Sequence, residues 1–145
     1  YTPAYPANMS VDAGVQEFIT TFYSVSDTPG KNQEWVEFFQ DGATLVMEKK
    51  EVTGKNDIFK VREGMWEKVA ARKHTVFKVF PASFAAGSAE GDEVELMLYG
   101  NVVYRLKGRE TEEKDAVDWA GYAKLVRTEE DKKWKFAYYR VYIQR

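Results

Sequence analysis

The residue best suited to proton transfer in this sequence is His74, the only histidine among the 145 residues. An imidazole titrates near neutral pH and can act as a general acid or base. A carboxylate usually orients such a histidine, and the candidates are Glu48, Glu63 and Asp118. Strand periodicity places Asp118 opposite the apolar face that carries Trp119, and no paired-carboxylate pattern is present. Two interpretations of His74 stay open: a catalytic residue, or a strand-end histidine that only forms hydrogen bonds.

Composition excludes several other chemistries. The sequence has no cysteine, which rules out disulfide bonds, thiolate metal sites and a cysteine nucleophile. With one histidine and scattered carboxylates we expect no metal site, and we expect no cofactor. The 21 basic and 23 acidic residues give a formal net charge of −2, without the basic excess of nucleic-acid-binding proteins. No apolar run reaches the roughly 18 residues of a membrane span, so we expect neither a nucleic-acid nor a membrane partner.

Three helices are predicted in the first half of the chain. Ser10 is suited to cap the first helix, whose apolar residues recur at helical spacing: Val15, Phe18, Ile19, Phe22 and Tyr23. Asn32 is suited to cap a short second helix, with apolar residues Trp35, Val36, Phe38 and Phe39. After Gly54, the same spacing predicts a third helix from Ile58, Val61, Met65, Trp66 and Val69.

From Arg72 onward the hydrophobic period changes to two, which indicates strands. The predicted strands are Lys73–Phe80, residues 93–106, Ala116–Thr128 and Trp134–Ile143, and a hairpin of Ala43–Met47 and Val52–Gly54 precedes the third helix. Gly100 in the middle of a strand favours a bend. We therefore predict an α+β fold in which three N-terminal helices pack on a strongly curved antiparallel sheet. The length fits one domain at residues 11–145, preceded by an extended arm at residues 1–10.

Aromatic residues make up 15% of the chain, with 4 Trp, 9 Tyr and 9 Phe. They could form a dense core with an aromatic dimer face, or they could line a ligand cavity. The residues that could line such a cavity lie on the helices and on the apolar faces of the strands. Among them, Tyr and Trp are favoured as ligand contacts because their polar atoms need hydrogen-bond partners when buried. The predicted ligand-contact residues are Tyr23, Trp35, Met47, Met65, Trp66, Tyr104, Trp119 and Tyr139. The pattern does not assign faces in the last strand, where Tyr139 shares one side with Val141 and Tyr138 shares the other with Tyr142.

The outward face of the predicted sheet carries four further apolar or aromatic residues: Met97, Tyr99, Val103 and Tyr122. Exposed aromatic residues on a sheet are costly for a monomer. We therefore expect a homodimer that forms through this outer face. The alternative is that these side chains are scattered surface aromatics.

Four segments resemble the SnoaL-like branch of the nuclear-transport-factor-2-like superfamily: Phe38–Leu45, Glu95–Gly108, Val117–Ala120 and Trp134–Tyr142. The resemblance covers roughly residues 11–143 and consists of strand periodicity and turn glycines, which identify a fold better than an activity. It implies a conical α+β domain, the cystatin-like roll, that is commonly a homodimer with a pocket inside the cone.

The resemblance also bears on the candidate site. In ketosteroid isomerase, the strand after the second helix carries an Asp general base, and the matching position here is Met47. No tyrosine matches the oxyanion Tyr of that isomerase, since Tyr23 lies several residues too late. Scytalone dehydratase and several SnoaL-like enzymes carry a His near the start of the strand after the third helix, and His74 matches that position.

Two functional hypotheses follow. The first is a cofactor-independent enzyme of isomerase, dehydratase or cyclase type, which acts on a hydrophobic oxygenated metabolite of secondary metabolism bound in the aromatic cone. The second is a non-catalytic small-ligand-binding or dimeric scaffold protein of the same fold. Residues 1–10 lack the features of a signal peptide, and we expect a cytoplasmic protein, although processing of the N-terminus stays open.

Overall fold

The computed structural model describes residues 1–84, 92–112 and 115–144. Within these residues the helices are α1 (Ala13–Ser26), α2 (Asn32–Val36) and α3 (Lys55–Met65). The strands are β1 (Phe39–Met47), β2 (Lys50–Thr53), β3 (Val69–Ala82), β4 (Glu93–Leu106), β5 (Val117–Arg127) and β6 (Trp134–Ile143). These helices and strands confirm the predicted α+β fold. No helix in this described part of the chain is long and apolar enough to cross a membrane.

The strands form one sheet in the order β2-β1-β6-β5-β4-β3. Neighbouring strands are antiparallel except β1 and β6, which run parallel. The sequence had predicted an antiparallel sheet. The sheet is instead mixed, because β1 and β6 run parallel. The parallel pair arises because the meander from β3 to β6 alternates in direction, and its last strand returns to lie beside β1.

Among the described strands the pairing register shifts at four places, one between β1 and β6, two between β3 and β4, and one between β5 and β6. On β3, Val76 pairs with Gly100 while Lys78 pairs with Tyr99, so one extra residue is inserted. A similar shift occurs on β6 opposite Lys124 and Leu125. An extra residue increases the local twist and moves the inward side chains by one position.

Gly100 lies directly opposite the bulge of β3. A Cβ atom at this position would overlap the carbonyl oxygen of Thr75. At Gly100, where the sequence predicted a bend, the backbone of β3 lies so close to β4 that a side chain is excluded.

Several predicted helix boundaries are wrong, because capping and strand pairing decide them. Asp12, and not Ser10, caps α1, since its Oδ1 accepts hydrogen bonds from the amides of Gly14 and Val15 at 2.7 and 3.3 Å. The short helix α2 ends at Val36, since Phe39 already pairs with Phe136 on β6. In the same way α3 ends at Met65, and Val69 begins β3 by pairing with Leu106.

The N-terminal arm is extended and lies along β3. The Ala4 amide donates to the carbonyl of Phe77 at 2.9 Å, and the Val79 amide donates to the carbonyl of Ala4 at 3.0 Å. The arm therefore pairs with the outer edge of the sheet, which otherwise presents unpaired backbone groups. This contact also brings Tyr1 close to the C-terminal end of α1.

An aromatic core lies between the helices and the sheet. Phe22 of α1 stands at its centre and packs against the rings of Phe18, Tyr23, Trp35, Phe38, Phe39, Phe136 and Tyr139. The dense-core interpretation accounts for this part of the aromatic content. Four rings of this core, those of Phe22, Tyr23, Trp35 and Tyr139, also line a cavity inside the cone.

Candidate functional site

The cone contains two adjoining chambers. The inner chamber has a cavity volume of about 70 Å³ and is lined by residues of all three helices and of β1, β3, β4, β5 and β6. The outer chamber has a cavity volume of about 420 Å³. Both are bordered by Met47, Met65, Arg72, Tyr104 and Ile143. Small-molecule sites usually enclose roughly 300–1,000 Å³, so the inner chamber alone is too small for a metabolite, and a metabolite that reaches it would extend into the outer chamber.

His74 and Asp27 form a hydrogen-bonded dyad at the inner chamber. His74 lies on β3 and lines the chamber, whereas Asp27 follows the last residue of α1. The Nδ1 atom of His74 lies 2.5 Å from Asp27 Oδ1, and the His74 backbone amide donates to Asp27 Oδ2 at 2.8 Å. The side chains are 19% and 5% exposed. Because Nδ1 of His74 is hydrogen-bonded to Asp27, Nε2 is the ring nitrogen that could accept a proton from a bound molecule or donate one to it.

The environment of Asp27 keeps its carboxylate charged. Burial by itself would raise the pKa of Asp27, but hydrogen bonds from His74 and Tyr1, together with the charge of His74, lower it overall. The Tyr1 hydroxyl donates to Asp27 Oδ2 at 2.6 Å. Burial and this hydrogen bond raise the pKa of Tyr1, so the phenol stays protonated and continues to donate. The N-terminal arm thus completes the environment of the dyad.

The sequence did not identify Asp27 as the partner of His74. Among the three carboxylates proposed from the sequence, Glu63 and Asp118 are exposed, and Glu48 borders the outer chamber. Asp27 lies 47 residues before His74, and no local pattern connects the two. One signal was present: Asp27 follows Tyr23 at the i, i+4 spacing, which places both side chains on the same face of α1.

Two buried tyrosines face each other in the inner chamber. The hydroxyl oxygens of Tyr23 and Tyr139 lie 2.7 Å apart. Burial raises the pKa of both phenols, so both stay protonated. The ring of Tyr23 lies 5.2 Å from the imidazole of His74 and 5.4 Å from the ring of Trp119, between ring centroids.

The structure brings seven of the eight predicted ligand-contact residues to the inner chamber. These are Tyr23, Trp35, Met47, Met65, Tyr104, Trp119 and Tyr139. The bulge on β6 turns Tyr139 and Val141 inward, which assigns the face that the sequence left open. Trp66 is absent from the described lining of both chambers, because its ring packs against the guanidinium groups of Arg62 and Arg72. Contact of these residues with a ligand stays a prediction.

Arg62 fixes the segment that carries Asp27. It is fully buried and donates to the carbonyls of Val25, Ser26 and Thr28 at 3.1, 2.8 and 2.7 Å, and to Asn32 Oδ1 at 3.1 Å. Burial lowers the pKa of Arg62 to about 10, so the guanidinium is charged at neutral pH. Helical spacing places Arg62 close to the apolar face of α3 but does not indicate these contacts.

Metal binding finds no support in the described ranges. Within residues 1–84, 92–112 and 115–144, no group of three or more His, Cys, Asp or Glu side chains is arranged to hold a metal ion.

Helices closing a bent six-stranded sheet around a cavity define the cone fold of the nuclear-transport-factor-2-like proteins. No protein-family model and no curated protein matches the sequence, so the likeness rests on solved structures. A proposed scytalone dehydratase from Novosphingobium aromaticivorans is 14% identical, with a TM-score of 0.72 over 91% of this chain and 83% of that one. The dehydrochlorinase LinA-type3 from Novosphingobium barchaimii, which is named for hexachlorocyclohexane, is 13% identical, with a TM-score of 0.73 over 92% and 86%.

Nuclear transport factor 2 from Cryptosporidium parvum has the same fold. It is 9% identical, with a TM-score of 0.69 over 88% of this chain and 90% of that one. At such identities the likeness shows a shared fold, which confirms the resemblance to this superfamily at that level. Because the fold occurs in proteins named as enzymes and in a transport factor, the activity has to be argued from the site.

Proposed function

We propose that this chain is a cofactor-independent enzyme of isomerase, dehydratase or cyclase type, which moves a proton on a hydrophobic oxygenated small molecule. The observation that carries the proposal is the His74–Asp27 dyad at the wall of the inner chamber. Dehydratase-type elimination is the leading case, since two of the structural neighbours are named for elimination reactions.

In the proposed reaction, His74 Nε2 removes a proton from a carbon next to a carbonyl group. The C–H electron pair moves into an enolate, and Asp27 stabilises the imidazolium through Nδ1. The imidazolium then returns the proton. Delivery to a leaving hydroxyl group releases water and gives a conjugated enone, whereas delivery to another carbon gives an isomer.

Donors for the oxygen atoms of such a molecule are available in the chamber. The Nε1 atom of Trp119 is buried and has no hydrogen-bond partner in the described part of the protein. The hydrogen bond between Tyr23 and Tyr139 needs a hydrogen from only one of the two hydroxyl groups. The hydrogen of the other hydroxyl can therefore be donated to a ligand. These donors favour a ligand that carries oxygen atoms. The surrounding aromatic side chains favour a ligand that is otherwise apolar.

The test is solvent proton exchange on a β-hydroxy ketone such as 4-hydroxy-4-phenylbutan-2-one. Deuterium incorporation next to the carbonyl is followed by NMR, and loss of water by the absorbance of the conjugated product. We expect His74→Gln and Asp27→Asn to lower the rate by about 10²–10⁴-fold. Asp118→Asn is the matched control, since Asp118 is an exposed carboxylate on β5, and its rate should equal that of the wild type.

Wild-type rates in His74→Gln would contradict the proposal. So would exchange no faster than in buffer across a panel of ketones with acidic α-protons.

The alternative is a non-catalytic protein that binds a small ligand. The small inner chamber favours it, because a cavity of about 70 Å³ leaves most of a metabolite in the outer chamber, away from His74. In that case ligands would stabilise the wild type and His74→Gln equally in thermal unfolding, and neither protein would catalyse exchange.

A further inference from the structure

Arg72 is a cation placed at the junction of the two chambers. It precedes His74 by two residues on β3, so both side chains lie on the inner face of the sheet. Arg72 borders the inner and the outer chamber. Its guanidinium carbon lies 4.9 Å from the ring centroid of Trp66 and 5.3 Å from that of Tyr104. These two aromatic rings attract the cation and help to fix its position.

The hydrogen-bonding capacity of Arg72 is largely unused. Its Nη2 donates to the carbonyl of Met65 at 2.9 Å. Its Nε is buried and has no partner within the described residues, and none of the ion pairs found among those residues includes Arg72. A guanidinium has five N–H donors, so several remain for a bound molecule. Arg62, by contrast, donates to four protein oxygens.

The charges around Arg72 leave it without a close counter-ion. Asp27 is already bonded to His74 and Tyr1. Glu48 and Asp115 share the outer chamber with Arg72, but none of the ion pairs found among the described residues joins either of them to it. Burial lowers the pKa of Arg72, while Tyr104 and Asp27 act in the opposite direction, and a guanidinium stays charged at neutral pH. A partly desolvated cation of this kind attracts an anion more strongly than one in water does.

We propose that the natural ligand carries a carboxylate, which Arg72 binds while the apolar part of the ligand lies beside His74. The inference depends on the proposed function only in taking the inner chamber as the substrate site. A carboxylate fits because it is planar and accepts two parallel hydrogen bonds from one guanidinium. A phosphate would call for more positive charge, and Arg72 is the sole Lys or Arg among the described residues that line the chambers. The aromatic walls select a compact aromatic or alicyclic acid.

The experiment compares trans-cinnamate with cinnamamide, which has the same shape and no charge. Binding to the full chain is measured by isothermal titration calorimetry at pH 8. We expect wild type to bind cinnamate at least about tenfold more tightly than cinnamamide. Arg72→Met keeps the length of the side chain and removes its charge. This variant should lose the preference for the acid while its affinity for cinnamamide changes by less than about twofold. Arg72→Lys keeps the charge without the planar fork and should show an intermediate preference.

Three results would overturn the proposal: equal affinity of wild type for the two probes, no binding of cinnamate at millimolar concentration, or a preference that survives in Arg72→Met. If circular dichroism shows that Arg72→Met is unfolded, Arg72→Lys decides, and an unchanged preference in that variant contradicts the proposal. His74→Gln separates this inference from the proposed function. It should lose proton exchange and retain the preference for cinnamate, so either proposal can fail while the other stands.

Discussion

The hydroxyl groups of Tyr23 and Tyr139 connect α1 to β6 inside the core. Both tyrosines are buried, and among the described residues their hydroxyl groups form a hydrogen bond with each other. A buried polar group that loses its partner costs about 1–3 kcal/mol, whereas removal of both partners can be nearly neutral.

This asymmetry gives a prediction for the tyrosine pair. Tyr139→Phe should destabilise the protein by about 1–3 kcal/mol, because the hydroxyl of Tyr23 is left without a partner. The double variant Tyr23→Phe/Tyr139→Phe should be less destabilised than the sum of the two single variants. Urea unfolding of the four proteins measures the coupling, and simple additivity would count against the hydrogen bond.

The dyad predicts a pH dependence of stability. The pKa of Asp27 is lowered in the folded protein, so its stabilising contribution is complete above the usual Asp range near pH 4 and disappears as the pH falls through the lowered value. We expect the melting temperature of the wild type to fall more steeply between about pH 4 and 2 than that of Asp27→Asn. Circular dichroism across this range provides the measurement, and parallel curves would show that Asp27 does not contribute in this way.

At the scale of single residues, the sequence identified the imidazole but not its partner. His74 could be found because it is the only histidine and has a chemistry of its own. Asp27 is one of 23 acidic residues, and its role depends on the fold, which brings the end of α1 to β3. The same reason applies to Arg72, which in the sequence is one of several cations near a strand start.

At the scale of elements, the bulges explain which strand faces could be predicted. β4 and β5 pair with each other without a register shift, so strict alternation holds along them and Leu98, Val102 and Trp119 are all buried. On β3 the extra residue puts Val79 in the core and leaves Phe80 52% exposed. A strict period of two would place Phe80 on the same side of the strand as His74. An inserted residue has no signature in hydrophobic periodicity alone.

The β3 bulge gives a prediction with an internal control. Gly100→Ala should destabilise the protein by about 1–3 kcal/mol, since the new methyl group would overlap the carbonyl oxygen of Thr75 and force the backbone to shift. Gly64→Ala is the matched substitution. Gly64 lies in α3 with no atom close to an added Cβ, and helix propensity should stabilise that variant by about 0.5–1 kcal/mol. Denaturant unfolding of both variants tests the pair, and equal effects would contradict the close approach.

At the scale of the whole molecule, the order of helices and strands was enough to predict the fold class. Segregated helices followed by long strands with alternating polarity restrict the architecture to few options. The parallel pairing of β1 with β6 lay beyond this reasoning, because it depends on which strand the chain returns to after residue 134. Local sequence patterns therefore predict the fold class. The pairing of β1 with β6 depends on contacts between residues distant in sequence, which such patterns do not predict.

The outer sheet face carries the prediction of a homodimer. Met97 and Tyr99 are 43% and 48% exposed, and the ring of Tyr99 lies 5.3 Å from that of Phe77. If this apolar surface pairs with a second copy, Tyr99→Glu should convert a dimer into a monomer in size-exclusion chromatography with light scattering. Glu51→Lys, an exposed change on β2 at the other end of the sheet, should leave the mass unchanged. A monomeric wild type at high concentration would contradict the prediction.

The position of Arg62 has a mechanical consequence for the cone. Met65 on α3 borders both chambers, and Arg62, three residues earlier on the same helix, holds the carbonyl groups on either side of Asp27. A movement of α3 at Met65 would therefore also displace the end of α1 and the Asp27 carboxylate bonded to His74. Met65 at the border of the two chambers and the hydrogen-bonded His74–Asp27 pair are thus connected through one helix.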